Sequence, residues 1–261
     1  MSRVLPRVTT TAYVTPLREG GSLPGIVEAD DLGTYVAKFT AAGQGAKALV
    51  AEIIVGELGR RLGLRVPRLV LLEVDAAIGR SEPDEEVQEL LVASAGVNLG
   101  VDFLPGAVGF DPRGFRLDPV EAAQIIWLDA FTANVDRSWR NPNLLVWHRQ
   151  VWCIDHGAAL RFHHDWAGRE RFATAAYDYG DHVLAERAAP LHATAEQAAA
   201  TVNAALLDEV LDMVPDAWLE PDELRPDPGA PADADAARAA YRGTLLARLD
   251  ASEHWLPAVS P

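Results

Sequence analysis

Apolar residues recur along this chain with two different periods, and the switches between them mark out its elements. Between positions 46 and 62, Leu49, Val50, Ile53, Ile54, Leu58 and Leu62 return at three- and four-residue spacing, the repeat of one helix face. Gly63 follows directly, where a helix is readily ended by a left-handed residue. Two shorter runs flank this helix, 34–39 and 68–74, rich in β-branched and other apolar residues and bounded by turn residues. They predict strands. The run Leu90-Leu91-Val92-Ala93-Ser94-Ala95 predicts another strand, preceded by an exposed acidic loop, Ser81-Glu82-Pro83-Asp84-Glu85-Glu86. Asp118-Pro119-Val120-Glu121 has a capping carboxylate, a proline in the first turn and a glutamate three residues after the cap, so a helix starts there, with Ile125, Ile126, Leu128 and Phe131 on its apolar face. Further on, Leu144-Leu145-Val146-Trp147 and Val151-Trp152-Cys153-Ile154 flank His148-Arg149-Gln150 as a hairpin. The remainder is helical and Ala-rich, most clearly over 193–214 and 237–249, with a Pro- and Asp-rich connection over 221–236.

The polar loop between the capped helix and the hairpin carries the chemistry. Asp136 and Asn141 lie five apart in it, and Asp155 follows the hairpin in Ile154-Asp155-His156-Gly157. Asp and Asn are ordinary turn residues, so the loop alone says little. The third oxygen ligand changes the picture, because a carboxylate at the edge of an apolar layer is costly unless a metal or a donor meets it. One carboxylate near an attacking hydroxyl, with an Asn and a second Asp to hold divalent metal against a triphosphate, is the set that phosphoryl transfer needs.

A second constellation lies upstream. Only two of the 23 basic residues are lysines, Lys38 and Lys47, so a lysine in the strand run Thr34-Tyr35-Val36-Ala37-Lys38-Phe39 is a selective choice. A compact ammonium suits phosphate oxygens in a narrow cleft, although a strand-edge lysine can also serve against aggregation. Before it, Gly20, Gly21 and Ser22 sit in Arg18-Glu19-Gly20-Gly21-Ser22-Leu23-Pro24-Gly25, where small residues let backbone N–H groups approach an anion. Glu52 and Glu57 on the following helix are the two candidates to hold Lys38; Glu52, at the edge of the apolar stripe, is preferred.

Taken in order, Gly-Gly-Ser-x-Pro, Tyr-Val-Ala-Lys-Phe, the glutamate helix, Gly-Leu-x-Val-Pro, Asp-Arg-x-x-x-Asn-Pro-Asn and Ile-Asp-His-Gly resemble the HipA-like kinases, in particular short bacterial members that consist of the kinase core. The resemblance covers roughly 10–160. It implies an α+β, two-lobed, protein-kinase-like fold: a small β-rich N-lobe with one main helix, placed at residues 1–95, and a larger, mostly helical C-lobe at 96–261. It implies a serine/threonine-type kinase using ATP and Mg²⁺. Lys38 would then contact the phosphates and Glu52 orient it, with Gly20, Gly21 and Ser22 covering them and Leu91 and Val92 lining a hinge strand. Asp136 would be the catalytic aspartate and Asn141 and Asp155 the metal ligands, with Asn143 able to replace Asn141 if the loop register differs. Many relatives, and the similar phosphoinositide kinases, carry His after Asp-Arg, whereas this chain has Ser138. Full-length HipA toxins have an additional N-terminal subdomain before the phosphate loop and work with a DNA-binding antitoxin; here only a short segment precedes the first expected strand, so the antitoxin role is not simply transferred and an antitoxin partner is not inferable from the sequence.

A formal net charge of −15 argues against broad attraction to nucleic acid or an anionic membrane. With no signal peptide and no uninterrupted apolar span, the expected location is the cytoplasm. The single cysteine, Cys153, is expected to be a buried thiol. His156, His163, His164 and Asp165 lack metal-ligand spacing. Two alternatives stand beside a protein kinase: a small-molecule or lipid kinase of the same fold, and a nucleotide-binding pseudokinase or scaffold. The acceptor is a hydroxyl-bearing protein or small molecule.

Overall fold

Five strands close into a barrel in the order β1-β2-β3-β5-β4: β1 (Arg7–Pro16), β2 (Gly25–Ala29), β3 (Thr34–Lys38), β4 (Leu69–Val74) and β5 (Gly96–Asp102). All neighbours are antiparallel except β1 and β4, which pair in parallel. This computed structural model describes residues 4–17, 23–187, 191–222 and 226–256. Alternation along β3 sends Tyr35 and Ala37 into the barrel, where they meet Val8, Val27, Val70 and Leu72, and it turns Lys38 the other way. Buried Asn98 on β5 fixes the chain just beyond Lys38. Its Oδ1 accepts from the Thr40 N–H at 2.8 Å and the Thr40 hydroxyl at 3.2 Å, while its Nδ2 donates to the Ser94 carbonyl at 2.7 Å.

Two helices follow β3 in the chain. The first, α1 (Ala46–Arg61), ends as its sequence predicts: Gly63, at φ +87°, donates to the Arg60 carbonyl and Leu64 to the Gly59 carbonyl, a Schellman ending. The second, α2 (Glu85–Ala93), corrects an expectation. Its residues Leu91 and Val92 belong to a helix rather than a hinge strand; Leu91 is packed in the barrel core and Val92 is 52% exposed. Asp84 caps this helix by accepting from the Glu86 N–H at 3.1 Å, and Val87 and Leu91, four apart, bury one face. A six-residue apolar run cannot by itself tell a buried strand from the end of a helix. The cap and the four-residue spacing decide it.

The chain divides into two units, Met1–Leu49 with Pro67–Pro105, and Val50–Val66 with Gly106–Pro261. The division expected after residue 95 moves to 105 because β5 pairs with both β3 and β4 and closes the barrel. Most of α1 also falls in the second unit, so the "one main helix" of the first is shared and α2 is added to it.

In the second unit, β6 (Val108–Gly109), β7 (Leu144–Trp147) and β8 (Gln150–Cys153) form a small antiparallel sheet. The helices are α3 (Pro119–Thr132), α4 (Leu191–Thr201), α5 (Ala204–Leu211), α6 (Asp216–Leu219), α7 (Ala234–Asp250) and α8 (Ser252–Trp255). The single helix expected over 193–214 is broken, because the Asn203 side chain caps α5 by accepting from the Leu206 N–H at 3.0 Å. Around α3, Trp127 and Phe131 stack at 5.0 Å and Trp255 meets Trp127 edge-on. Arg248 of α7 is fully buried against the end of α3. It donates to the carbonyls of Ala130 and Phe131 in the last turn of α3 and to those of Phe172 and Ala175, and so joins the end of that helix to the segment around Phe172. Among the described residues no helix is long and apolar enough to cross a membrane.

The barrel's tightest approach offers a test. A Cβ added at Gly100 would lie 2.6 Å from Val70 Cγ2, inside the packed interior, whereas one at Gly109 meets nothing within 4 Å. Gly100→Ala is expected to destabilise by about 1–3 kcal/mol in urea titrations, and Gly109→Ala to stay within about 0.5 kcal/mol.

Candidate active site

The loop leaving α3 is shaped by how the helix ends. Ala133 takes the left-handed conformation at φ +50°, where glycine is commoner, and the Asn134 N–H reaches back to the Asp129 carbonyl at 2.8 Å. The Asn134 side chain then donates to Asp129 Oδ1 at 2.9 Å and accepts from the Asp136 N–H at 3.1 Å. Asp136 is set by this turn, three residues past the helix cap. Tyr177 adds a hydrogen bond from its hydroxyl to the Asn134 carbonyl at 2.8 Å.

The structure brings Asp136 and Asn141 together. Asn141 Nδ2 donates to Asp136 Oδ2 at 3.1 Å, and Asn143 Nδ2 donates to the same oxygen at 3.3 Å and to the Asp136 carbonyl at 2.7 Å. Asp136 is half-buried and Asn141 exposed, while Asn143 is buried in a left-handed conformation at φ +47°. Asn143 is thus placed as a brace for the aspartate. The hairpin forms as expected, with a two-residue turn in which His148 and Arg149 both have positive φ, the geometry that matches strand twist. It returns the chain to the same loop: the Ile154 N–H donates to the Asn143 carbonyl at 3.1 Å. Asp155 comes next, exposed and left-handed at φ +55°. The burial argument for this residue does not hold. Its conformation is the unusual feature, since only glycine, and less often Asn or Asp, adopts it readily.

Beneath these residues lies a buried ion pair that the sequence did not reveal. Arg137 Nε donates to Asp129 Oδ2 at 2.6 Å, and both side chains are wholly inaccessible. The remaining guanidinium donors reach the carbonyls of Asn143 and Ile154, and Nη2 meets His156 Nδ1 at 3.2 Å. One side chain therefore ties α3, the Asp136 loop and the strand leading to Asp155. His182 Nε2 adds a contact to Asp129 Oδ2 at 3.0 Å. Burial alone would raise the pKa of Asp129, but the Arg137 charge and the hydrogen bonds from His182 and Arg137 hold it well below the usual carboxylate range. Burial pushes the neighbouring Cys153 thiol up to about 12, so it is the inert buried thiol expected. The signal for Asp129 was present in the sequence, as a lone carboxylate inside Ile125-Ile126-Trp127-Leu128-Asp129-Ala130-Phe131. His182, 53 residues further on, carried none.

Glu52 of α1 is buried. Its Oε1 accepts from the backbone N–H groups of His156 and Gly157, both at 2.9 Å, so it grips the turn after Asp155. Glu57 instead pairs with Arg60 at 3.0 Å, one helical turn away. Lys38 lies in the first unit at the end of β3, opposite Leu99 of β5. Gly20, Gly21 and Ser22 lie outside the described residues. Of the other candidates, His163 is buried with Nδ1 at 2.8 Å from the Tyr241 hydroxyl and Nε2 at 3.1 Å from His164, and Asp165 caps the turn at Gly168.

Among the described residues Arg137 contacts no other carboxylate, so Asp129→Ala leaves a buried guanidinium unpaired and is expected to cost about 3–5 kcal/mol in denaturant unfolding. The depressed Asp129 pKa has a further consequence. The unfolded chain takes up this proton near the ordinary carboxylate pKa and the folded chain only far below it, so the contribution is complete above about pH 5 and falls away towards about pH 2. Asp129→Asn is expected to flatten the acid limb of stability against pH, measured by urea midpoints across that range.

A family model described as HipA-like kinase matches residues 12–256. The crystal structure of a Helicobacter pylori proinflammatory kinase, CtkA, is similar at a TM-score of 0.55 with 11% identity, covering 95% of this chain and 97% of that one. A Golgi casein kinase structure aligns at a TM-score of 0.43 with 13% identity, over 97% of this chain and 73% of that one, too loosely to bear on the fold. No curated protein sequence matches the chain. A family match over nearly the whole length, a fold shared with a solved kinase, and a carboxylate braced by two asparagines at the end of a capped helix agree with one another, and the chain belongs to the HipA-like kinase family.

Proposed function

We propose that this kinase transfers the γ-phosphoryl group of ATP to a hydroxyl of a protein side chain, in the manner of a serine/threonine kinase, with Asp136 as the group that receives the acceptor's proton. The observation that carries this reading is the bonding of the Asp136 carboxylate. Both asparagine amides reach Oδ2, and with no donor to Oδ1 among the described residues that oxygen keeps its lone pairs for an incoming hydroxyl. In the transfer, the acceptor oxygen bonds to the γ-phosphorus as the bond to the β-phosphate oxygen breaks; ADP leaves, and the hydroxyl proton passes to Asp136.

Asn141 and Asp155 fit a magnesium ion. Both offer oxygen and both are exposed, the donor type a hard cation prefers, and such an ion takes its other ligands from phosphate and water. When bound, the ion would offset charge on the phosphates. Arg137 supports this reading, since it holds the carbonyls of Asn143 and Ile154 and so restrains the positions of both ligands. Glu52 does the same from the other side of Asp155 through the His156 and Gly157 amides. Lys38, the one lysine on a barrel strand, would contact the phosphates, with Gly20, Gly21 and Ser22 covering them.

Two variants separate binding from chemistry. ATP with Mg²⁺ is expected to raise the melting temperature more than ATP with a chelator, and Asp155→Ala to erase that difference. Asp136→Ala should leave ATP affinity within several-fold while phosphoryl transfer to protein acceptors in a lysate falls about a hundredfold or more. Equal transfer by the variant would remove Asp136 from the mechanism. Binding with no transfer by the parent protein would mark it as a nucleotide-binding scaffold.

A further inference from the structure

Residues 181–183 come back to the catalytic loop from far along the chain and pair with it. Ser138 and His182 form an isolated antiparallel bridge; the Trp139 N–H donates to the Asp181 carbonyl at 3.1 Å and the Val183 N–H to the Arg137 carbonyl at 3.2 Å. The bridge covers the three residues immediately after Asp136, and nothing in the proposed chemistry uses it. On its inner side the His182 ring is buried, with Nε2 at 3.0 Å from Asp129 Oδ2 and Nδ1 accepting from the Leu184 N–H at 3.1 Å.

These two contacts fix the state of the ring. A backbone N–H can only donate, so Nδ1 carries a lone pair and the single ring proton is on Nε2, directed at Asp129. One face of the ring thus serves the backbone of its own segment and the other the buried ion pair, so His182 joins the two. His182 thus completes a continuous set of hydrogen bonds, from the Leu184 amide through its own ring to Asp129, from Asp129 to Arg137, and from Arg137 to the Asn143 carbonyl. Asn143 in turn braces Asp136.

We infer that residues 181–183 act as a latch on the catalytic loop and that His182 is its positioning residue, setting Asp136 through Asp129 and Arg137. The inference deepens the kinase reading and rests on it for its catalytic consequence. His182 touches neither nucleotide nor acceptor in this scheme. Its loss should lower turnover more than it weakens nucleotide binding, because it acts on the loop around Asp136.

Three substitutions divide the two contacts. Gln can present an amide donor near the Nε2 position, Asn can only mimic the Nδ1 acceptor, and Ala supplies neither. With ATP and Mg²⁺, and water as the acceptor, His182→Ala and His182→Asn are expected to lower kcat about tenfold or more with KM for ATP within about threefold, while His182→Gln recovers kcat to within about fivefold of the parent. Hydrogen exchange gives a readout independent of catalysis: the Trp139 and Val183 amides should lose protection about tenfold in the Ala and Asn variants and regain it in Gln. Unchanged kcat and protection in His182→Ala overturns the latch, as does a Gln variant no better than Ala, or a rise in KM that matches the fall in kcat. A parent that neither hydrolyses ATP nor binds it in a metal-dependent way would defeat the kinase reading instead, and the exchange measurement would still decide whether His182 holds the loop.

Discussion

The rest of the second unit is organised around the pairing of Asp129 with Arg137. Neither charge has any access to water, and such a pair is tolerated only when every remaining donor and acceptor is met. Arg137 meets that demand by donating to the Asn143 and Ile154 carbonyls, and Asp129 by accepting from Asn134 and His182. The need to satisfy one buried pair therefore fixes four separate pieces of chain. Three of them carry or adjoin Asp136, Asn141 and Asp155, of which Asn141 and Asp155 remain exposed and Asp136 half-buried. A rigid interior and an open rim arise from the same contacts.

Backbone strain gathers at the same place. Ala133, Asn143 and Asp155 are all left-handed without being glycine, as are the two residues of the hairpin turn between β7 and β8. Each such residue is held by its surroundings at a cost of about 1 kcal/mol or more. Ala133 turns the chain out of α3, Asn143 turns it into β7, and Asp155 turns it away from the sheet. Glu52 meets the chain just past this last turn and engages two backbone amides in a row, which explains why a carboxylate stands on the apolar stripe of α1.

Much of this was legible in the sequence because it is local. The strand bearing Lys38, the glycine ending of α1, the Asp118 cap of α3 and the hairpin all follow from periodicity and turn chemistry within a few residues, and Asp136 and Asn141 meet because their spacing lets one loop bring them together. What was not legible depends on long-range packing. The first four residues of the run at 90–95 are helical because Val87 and Leu91 fill the barrel core, and only the core distinguishes that from a strand. Asp155 was singled out for burial and is exposed. Asp129 stood in plain view within an apolar helix, but its meaning lies in Arg137 and His182, and no pattern in the chain joins residues so far apart.

Arg248 adds a dimension of time. It reaches the Phe131 carbonyl from 117 residues further along the chain and also holds the carbonyls of Phe172 and Ala175. During synthesis α3 and the loop after it emerge long before this guanidinium, so the end of α3 lacks these contacts while the intervening helices are being made. A ribosome-bound chain short of α7 would hold all the acidic and amide groups of the loop without the clamp that sets its helix. The end of α3 thus gains its last contacts only once α7 has been made.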